Sequence, residues 1–330
     1  MRLPTITDVL NARRVLANHL APTPLRRHRA LDANVLVKHE NTQPTGAFKV
    51  RGGINLLAGM TPAERARGVL AYSTGNHAQG IAYAAARFDA PCTIVMPSNP
   101  NPNPAKAGAI RALGAELVEY GVNFDEARGH AERLARQRDL RLVSAANEPE
   151  LIAGVATGYL EIFEQAPDLD TVVVPVGGGS GAAAACLVAA AVAPQCRIVA
   201  VQSAASPAAH DSWRAGHPVE RPNGSTVEGL ATGAGFDLTQ RLMRAHLADF
   251  LLVDDAAILA AQWVMMRDMH TLAEGGGAAA LAAVLGYPER FAGQRLAVMC
   301  SGGNASEDEI RRSITAKVTA KPAREAVPAG

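Results

Sequence analysis

Val172-Val173-Val174-Pro175-Val176-Gly177-Gly178-Gly179-Ser180-Gly181 is an apolar run that ends in four glycines among five residues. The run is the length of one buried strand, and the Ala-rich segment Ala182–Ala193 follows it at helical length. Strand, glycine turn and helix N-terminus together make an anion cradle. Backbone N–H groups converge on the ligand, and glycine lets the main chain come close to it. Another strand, Arg197–Gln202, comes next. A strand–helix–strand unit of this kind places its strands parallel, so the class of the fold is α/β.

The same alternation extends outward on both sides. Upstream, strand Val69–Ser73 leads to a helix through Phe88. Strand Cys92–Met96, helix Ala105–Leu113, strand Glu116–Tyr120, helix Phe124–Arg136, strand Leu142–Ala145 and helix Ala153–Glu164 follow. Near the N-terminus, Ile6, Val9, Leu10, Val15 and Leu16 space a helix over 5–20, and Asn34–Val37 is a short strand. Thr61-Pro62-Ala63-Glu64 is a helix start, with Thr as N-cap, Pro at the first position and Glu closing a capping box. Downstream, 204–248 is less regular, Phe250–Val253 is a strand, 255–284 is mostly helical and Leu296–Met299 is a final strand. Apolar strands alternating with helices predict parallel sheets covered on both faces. No internal repeat is present. Lys321–Gly330 reads as a frayed tail, and no separate regulatory domain is expected.

Composition narrows the function. The 330 residues, 48% of them hydrophobic, suffice for two domains. With 32 Lys+Arg against 31 Asp+Glu, no strong field would draw nucleic acid or a membrane surface. The longest apolar stretch, Gly181 to Pro194, is too short to span a bilayer, and the N-terminus carries no apolar signal segment. Cys92, Cys186, Cys196 and Cys300 lie in or beside apolar runs, without C-x-x-C or zinc spacing. They read as reduced core residues of a cytoplasmic protein. Aromatics are only 4%, so the core must be built from Ala, Val, Leu and Ile.

Gly177, Gly179 and Ala182 also fit the looser dinucleotide pattern G-x-G-x-x-A. That site needs an acid at the end of the next strand, which here ends in Gln202-Ser203, and it belongs early in a domain rather than mid-chain. A single phosphate fits better. Ser73-Thr74-Gly75-Asn76-His77-Ala78-Gln79-Gly80 gathers hydroxyls, an amide and an imidazole at another helix start, which suits a small carboxylate. His77 alone reads as a structural residue that braces the turn. Cys300-Ser301-Gly302-Gly303-Asn304 ends the last strand, with Ser301 at the carboxyl end of the sheet, where open α/β sheets bind ligands.

The fourth motif is Gln43-Pro44-Thr45-Gly46-Ala47-Phe48-Lys49-Val50-Arg51-Gly52. Lys49 falls in the first turn of a helix, among unpaired N–H groups and at the positive end of the dipole. That setting favours a neutral amine, hence a nucleophile. A reactive lysine, a one-phosphate cradle and a carboxylate loop together point to pyridoxal 5′-phosphate, whose aldehyde captures a lysine amine as a Schiff base.

In these motifs the chain resembles fold-type II pyridoxal-phosphate enzymes, specifically the threonine/serine dehydratase–serine racemase group. The resemblance spans residues 5–315 and rests on Q-P-T-G-A-F-K, S-T-G-N-H-A-Q-G, P-V-G-G-G-S and S-G-G-N in that order. Gly121–Ala127 also looks like threonine dehydratases. The resemblance implies two open twisted parallel-sheet domains of the tryptophan synthase β type. Residues 1–67 and 146–320 would form the large cofactor-binding domain, and 68–145 a small domain that moves on substrate binding. It implies that Lys49 holds the cofactor and serves as base, with Phe48 packed on the ring and Asn76 at the ring hydroxyl. Gly177, Gly178, Gly179 and Ser180 would hold the phosphate and Ser301 would face the ring nitrogen. Ser73, Thr74, Gly75 and His77 would take the substrate carboxylate. A homodimer is also implied.

Several positions depart from the group's pattern. Ala47 replaces a serine, and Thr74 stands where racemases carry a serine base and many dehydratases alanine; its hydroxyl keeps some racemase or reprotonation capacity open, so Thr74 joins Lys49 as a candidate catalytic residue. Gln202 and Ser203–Ala208 lack the carboxylates that hold a divalent ion in serine racemase, so no metal is expected there. Glu228-Gly229 replaces Asp-Gly, and Leu151–Gly158 departs from G-Q-G-T. The expected reaction is loss of water from a β-hydroxy-α-amino acid, giving a 2-oxo acid and ammonia. Threonine or serine is the default substrate, with a 3-aryl-serine, 3-hydroxyaspartate or a hydroxyectoine breakdown product as bulkier candidates. The alternatives are an amino-acid racemase and, from another class, a non-catalytic amino-acid or nucleotide-binding protein. Thr74, Phe124 and Ile152–Thr157 are the candidate substrate determinants.

Overall fold

The computed structural model describes the backbone of residues 1–32, 34–73, 75–98, 104–122 and 124–316. Thr74 and the tail 321–330 lie outside the described residues, as does the side chain of Phe124.

Ten strands form two sheets among the described residues. The chain opens one sheet with β1 (Leu25–Arg27) and β2 (Val35–His39). It then builds the other from β3 (Val69–Tyr72), β4 (Cys92–Met96), β5 (Glu116–Glu119) and β6 (Arg141–Val143). It returns to the first with β7 (Thr171–Pro175), β8 (Arg197–Ser203), β9 (Asp249–Val253) and β10 (Leu296–Cys300). The six-stranded order is β1-β2-β10-β7-β8-β9 and the four-stranded order is β5-β4-β3-β6. Every pairing is parallel except β1 with β2. The expected α/β class with two parallel sheets is therefore the observed one.

The strand sequences explain this arrangement. All of β2, β4 and β10 is buried, as parallel strands with helices on both faces must be. Two of the four edge strands carry exposed charge instead: Arg26 and Arg27 on β1 and Glu116 and Glu119 on β5, which discourages pairing with a further strand. β1 is absent from the sequence reading because its three residues carry no alternation to detect. Within 204–248 the structure forms helices Ala208–Ala215 and Asp237–His246, and Glu307–Thr315 adds a helix after the last strand. The Thr61 capping box forms as expected, with Glu64 N donating to Thr61 Oγ1 and Thr61 N donating to Glu64 Oε2. All four cysteines are buried and free. No described helix is long and apolar enough to cross a membrane.

Helix Lys49–Gly59 links the two halves. A Cβ on Gly53 would sit 2.4 Å from the carbonyl oxygen of Gly80, on helix Asn76–Arg87. On its other side a Cβ on Gly154 would sit 2.5 Å from the carbonyl oxygen of Arg51. Backbone thus touches backbone on both flanks, which only glycine permits. The departure at Leu151–Gly158 lies in helix Pro149–Gln165 and supplies the second of these contacts.

The same helix is anchored by charge. Arg51 donates to both oxygens of Glu40, at 2.7 and 2.8 Å, and to both oxygens of Glu161, at 2.7 and 2.9 Å. Lys38 Nζ donates to Glu161 at 2.6 Å and to the Thr23 carbonyl at 2.7 Å. Burial would raise the Glu40 carboxyl, but the Arg51 charge and hydrogen bonds hold it below the ordinary range.

Candidate active site

Lys49 is the first residue of its helix, as the motif predicts. Its Nζ donates to Ser180 Oγ at 2.8 Å and to the Ala145 carbonyl at 3.2 Å. It lies 5.2 Å from the centre of the Phe48 ring. Burial lowers its pKa to about 8, so an appreciable fraction of the amine is neutral near physiological pH.

The glycine turn is built for close approach. Gly179 adopts φ +90°, the left-handed region, and caps helix Ser180–Val192. A Cβ on Gly177 would lie 2.3 Å from the carbonyl oxygen of Gly229. Gly178 uses its carbonyl to accept from Thr239 Oγ1 at 2.8 Å. With no side chains on 177–179, the N–H groups at this helix start are open to an anion. The amine that would hold an aldehyde and the cradle that would hold a phosphate are adjacent, which fits pyridoxal phosphate. Gln202, at the end of the next strand, uses its amide within the protein: Nε2 donates to Thr232 Oγ1 and Oε1 accepts from His210 N.

The first and last motifs lock together. Phe48 N donates to the Ser301 carbonyl at 3.0 Å, Gly303 N donates to the Gly46 carbonyl at 2.8 Å, and Ala47 bridges Gly302. Asn304 Nδ2 donates to the Thr45 carbonyl at 2.8 Å. Gly46, at φ +66°, leaves room for Asn304, whose Oδ1 would lie 2.5 Å from a Cβ there. Ser301 is buried, and its hydroxyl donates to the Gly276 carbonyl at 3.2 Å. To meet a ring nitrogen it must rotate from that partner.

In the loop expected to take a carboxylate, Ser73 Oγ accepts from Gly75 N at 3.2 Å, and Asn76 is the first residue of the helix that follows. His77 is buried, with Nε2 3.5 Å from the Val143 carbonyl. Burial and the charge of Lys49 push its pKa down to about 3, so the ring is neutral and faces the small sheet. Its backbone N–H lies in the first turn of helix Asn76–Arg87.

The structure adds residues that the sequence did not single out. Glu274 is buried and accepts a hydrogen bond from Asn76 Nδ2. Lys106, on helix Pro104–Ala112, bonds Glu228 and lies 3.9 Å from Glu274. Lys106 is 5% exposed against 40% for Glu228, so the cation is buried while this partner reaches solvent. Burial would lower the pKa of the Lys106 ammonium, but Glu274 and Glu228 raise it above the ordinary lysine value. Glu274 sits in an otherwise Gly/Ala run, where a single acid has no local signature.

Two parallel sheets, a lysine facing a glycine cradle and a serine at the end of the last strand define a fold-type II pyridoxal-phosphate enzyme. The sequence pattern of the family described as "pyridoxal-phosphate dependent enzyme" matches residues 16–302, and the chain belongs to that family. It is 38% identical to the biosynthetic L-threonine dehydratase of Salmonella typhimurium, over 88% of this chain and 57% of that one. The chain thus spans little more than half of that relative's length. It is 33% identical to the beta-hydroxyaspartate dehydratase of Paracoccus denitrificans, over 94% of this chain and 99% of that one. The solved structure of maize serine racemase superposes with a TM-score of 0.88 at 27% identity, over 95% of this chain and 97% of that one.

Proposed function

We propose that this protein is an ammonia-lyase that eliminates water from a β-hydroxy-α-amino acid. The observation that carries the reading is the position of Lys49 Nζ, 2.8 Å from Ser180 Oγ at the head of the cradle. Pyridoxal phosphate, when bound, supplies an aldehyde that captures amines and a ring that withdraws electrons from the Cα–H bond. The Gly177–Ser180 turn binds its phosphate through N–H groups and the Ser180 hydroxyl. Phe48 packs on the ring, Asn76 donates to the ring hydroxyl and Ser301 donates to the ring nitrogen. A serine leaves that nitrogen neutral, which suits prompt loss of a leaving group over a long-lived Cα carbanion.

The Ser73–His77 loop, Thr74 included, holds the substrate carboxylate. Lys49 would accept the Cα proton as general base. The Cα–H and Cβ–O bonds would break, the proton held by Lys49 would pass to the leaving hydroxyl to give water, and the enamine product would be hydrolysed by a second water to a 2-oxo acid and ammonia. An intact Lys49 argues against a purely binding protein. The unit 68–145 closes on the substrate, and the protein works as a cytoplasmic homodimer.

The similarity to maize serine racemase supports a second reading, an amino-acid racemase. One assay separates the two. Purified holoenzyme is given threonine, serine, 3-hydroxyaspartate and phenylserine as separate stereoisomers, and 2-oxo acid and enantiomer are both measured. Predominant 2-oxo acid is expected. Predominant formation of the other enantiomer would replace the lyase reading.

A further inference from the structure

Tyr159 is out of keeping with the core that holds it. Aromatic residues make up only 4% of the chain, and the interior around helix Pro149–Gln165 is mostly Ala, Val, Leu and Ile. The side chain is 2% exposed. A buried tyrosine hydroxyl ordinarily finds a hydrogen-bond partner, because leaving it without one carries a desolvation cost that phenylalanine avoids. Yet Tyr159 Oη makes no hydrogen bond to any of the described residues. Burial, helped by the charge of Glu40, raises the phenol pKa well above the ordinary tyrosine value, so the group stays a neutral donor. Glu40 itself is taken up by Arg51 and Thr23.

The hydroxyl lies over Gly181. A Cβ on Gly181 would be 3.2 Å from Tyr159 Oη, 3.6 Å from Val174 Cγ1 and 3.9 Å from Phe48 Cε2. Oη thus fills the space into which a side chain at 181 would grow. Gly181 is the second residue of helix Ser180–Val192, in the turn whose N–H groups lack partners within the helix. Phe48 adjoins Lys49, whose Nζ bonds Ser180 Oγ at 2.8 Å. Helix Pro149–Gln165 therefore delivers an unused donor to the place where the amine and the cradle meet. Neither Val174 nor Phe48 can accept from it. An anion seated on the first-turn N–H groups can.

We propose that Tyr159 is a further phosphate-binding residue, whose hydroxyl donates to the cofactor phosphate held by the Gly177–Ser180 turn. The proposal rests on the cofactor reading above and adds a side-chain donor from a different helix to a cradle made of backbone. It also gives a reason for glycine at 181: a larger residue there would displace the hydroxyl.

The test compares the affinity of cofactor-free protein for pyridoxal phosphate and for pyridoxal, which has the same aldehyde and ring without the phosphate. Tyr159→Phe keeps the ring that fills the core, so folding is retained. Its dissociation constant for pyridoxal phosphate should rise about tenfold or more, the scale of one hydrogen bond to a charged group. That for pyridoxal should stay at the wild-type value. A urea melt of cofactor-free Tyr159→Phe should give a midpoint at or above that of wild type, since no bond within the protein is lost. A rise below about threefold for pyridoxal phosphate, or an equal rise for pyridoxal, overturns the proposal. So does a lowered urea midpoint, which would mean that the hydroxyl bonds inside the protein. Failure of the cofactor reading looks different: wild-type protein would form no Schiff-base band with pyridoxal phosphate at all.

Discussion

Lys49 Nζ and Ser180 Oγ lie 2.8 Å apart, although 131 residues separate them. Helix Lys49–Gly59 brings the amine and helix Ser180–Val192 brings the hydroxyl, each from its own first turn. Two positive helix ends thus meet in one place, which disfavours the ammonium and favours an anion. Replacing Lys49 with Ala should abolish the Schiff-base band and borohydride trapping of the cofactor. It should also cut turnover by more than about 10³-fold, since the base is lost along with the amine. Absorbance and a 2-oxo acid assay check this, and turnover near the wild-type level would refute the role.

Titration of Lys49 gives a pH dependence with a definite sign. Its folded pKa is lowered to about 8 by burial, below the ordinary lysine value. Between the two values the unfolded chain binds the proton that the folded chain has released, so stability rises with pH there. Urea melts of cofactor-free protein from pH 7 to 10 should show this gain, and Lys49→Met should lack it. Parallel curves for the two proteins would contradict the shift.

Gly177→Ala should separate cofactor binding from folding. The new Cβ would meet the Gly229 carbonyl oxygen at 2.3 Å, so either the cradle or the 228–230 turn must move. Cofactor affinity should fall by about tenfold or more, equivalent to at least ~1.4 kcal/mol. Gly108→Ala is the control, because nothing lies within 4 Å of its Cβ. A fluorescence titration that gives the same dissociation constant for Gly177→Ala and wild type would remove the cradle from the argument.

Arg51→Met leaves Glu40 and Glu161 without the guanidinium that binds both. Breaking a buried network by removing one partner typically costs about 3–5 kcal/mol. A urea melt should show a loss on that scale. A loss below about 1 kcal/mol would mean that the surrounding groups rearrange or take up protons at little expense.

Much of the site is legible in the chain because each part is local. The glycines of 177–181 follow a strand run directly, and Lys49 follows its turn directly, so a short window contains the physical reason for each. Cys300–Asn304 reads as the end of a strand in the same way, though the reason for its glycines does not show. That reason is Glu274, which Gly302 must admit, and the Leu272 carbonyl, which would lie 2.6 Å from a Cβ on Gly303. Helix Ala208–Ala215 escaped because it is short and its neighbours carry no clear period. Helix Asp237–His246 does carry a helical period, with Leu238, Leu242 and Met243 buried on one face, which the reading of 204–248 as less regular misses.

The sequence by itself determined the α/β class, the cradle and the reactive lysine, since strand periodicity, glycine turns and helix starts are short-range properties of the backbone. It also carried the order of the four motifs, which is what the family resemblance rests on. Only the tertiary structure decided which charges meet. Lys106, Glu228 and Glu274 are three ordinary charged residues until the two sheets set them side by side. Likewise, Lys49 reads as a candidate nucleophile from its own turn. Its burial and its distance to Ser180 depend on packing between helices far apart in the chain, and no local window holds that information.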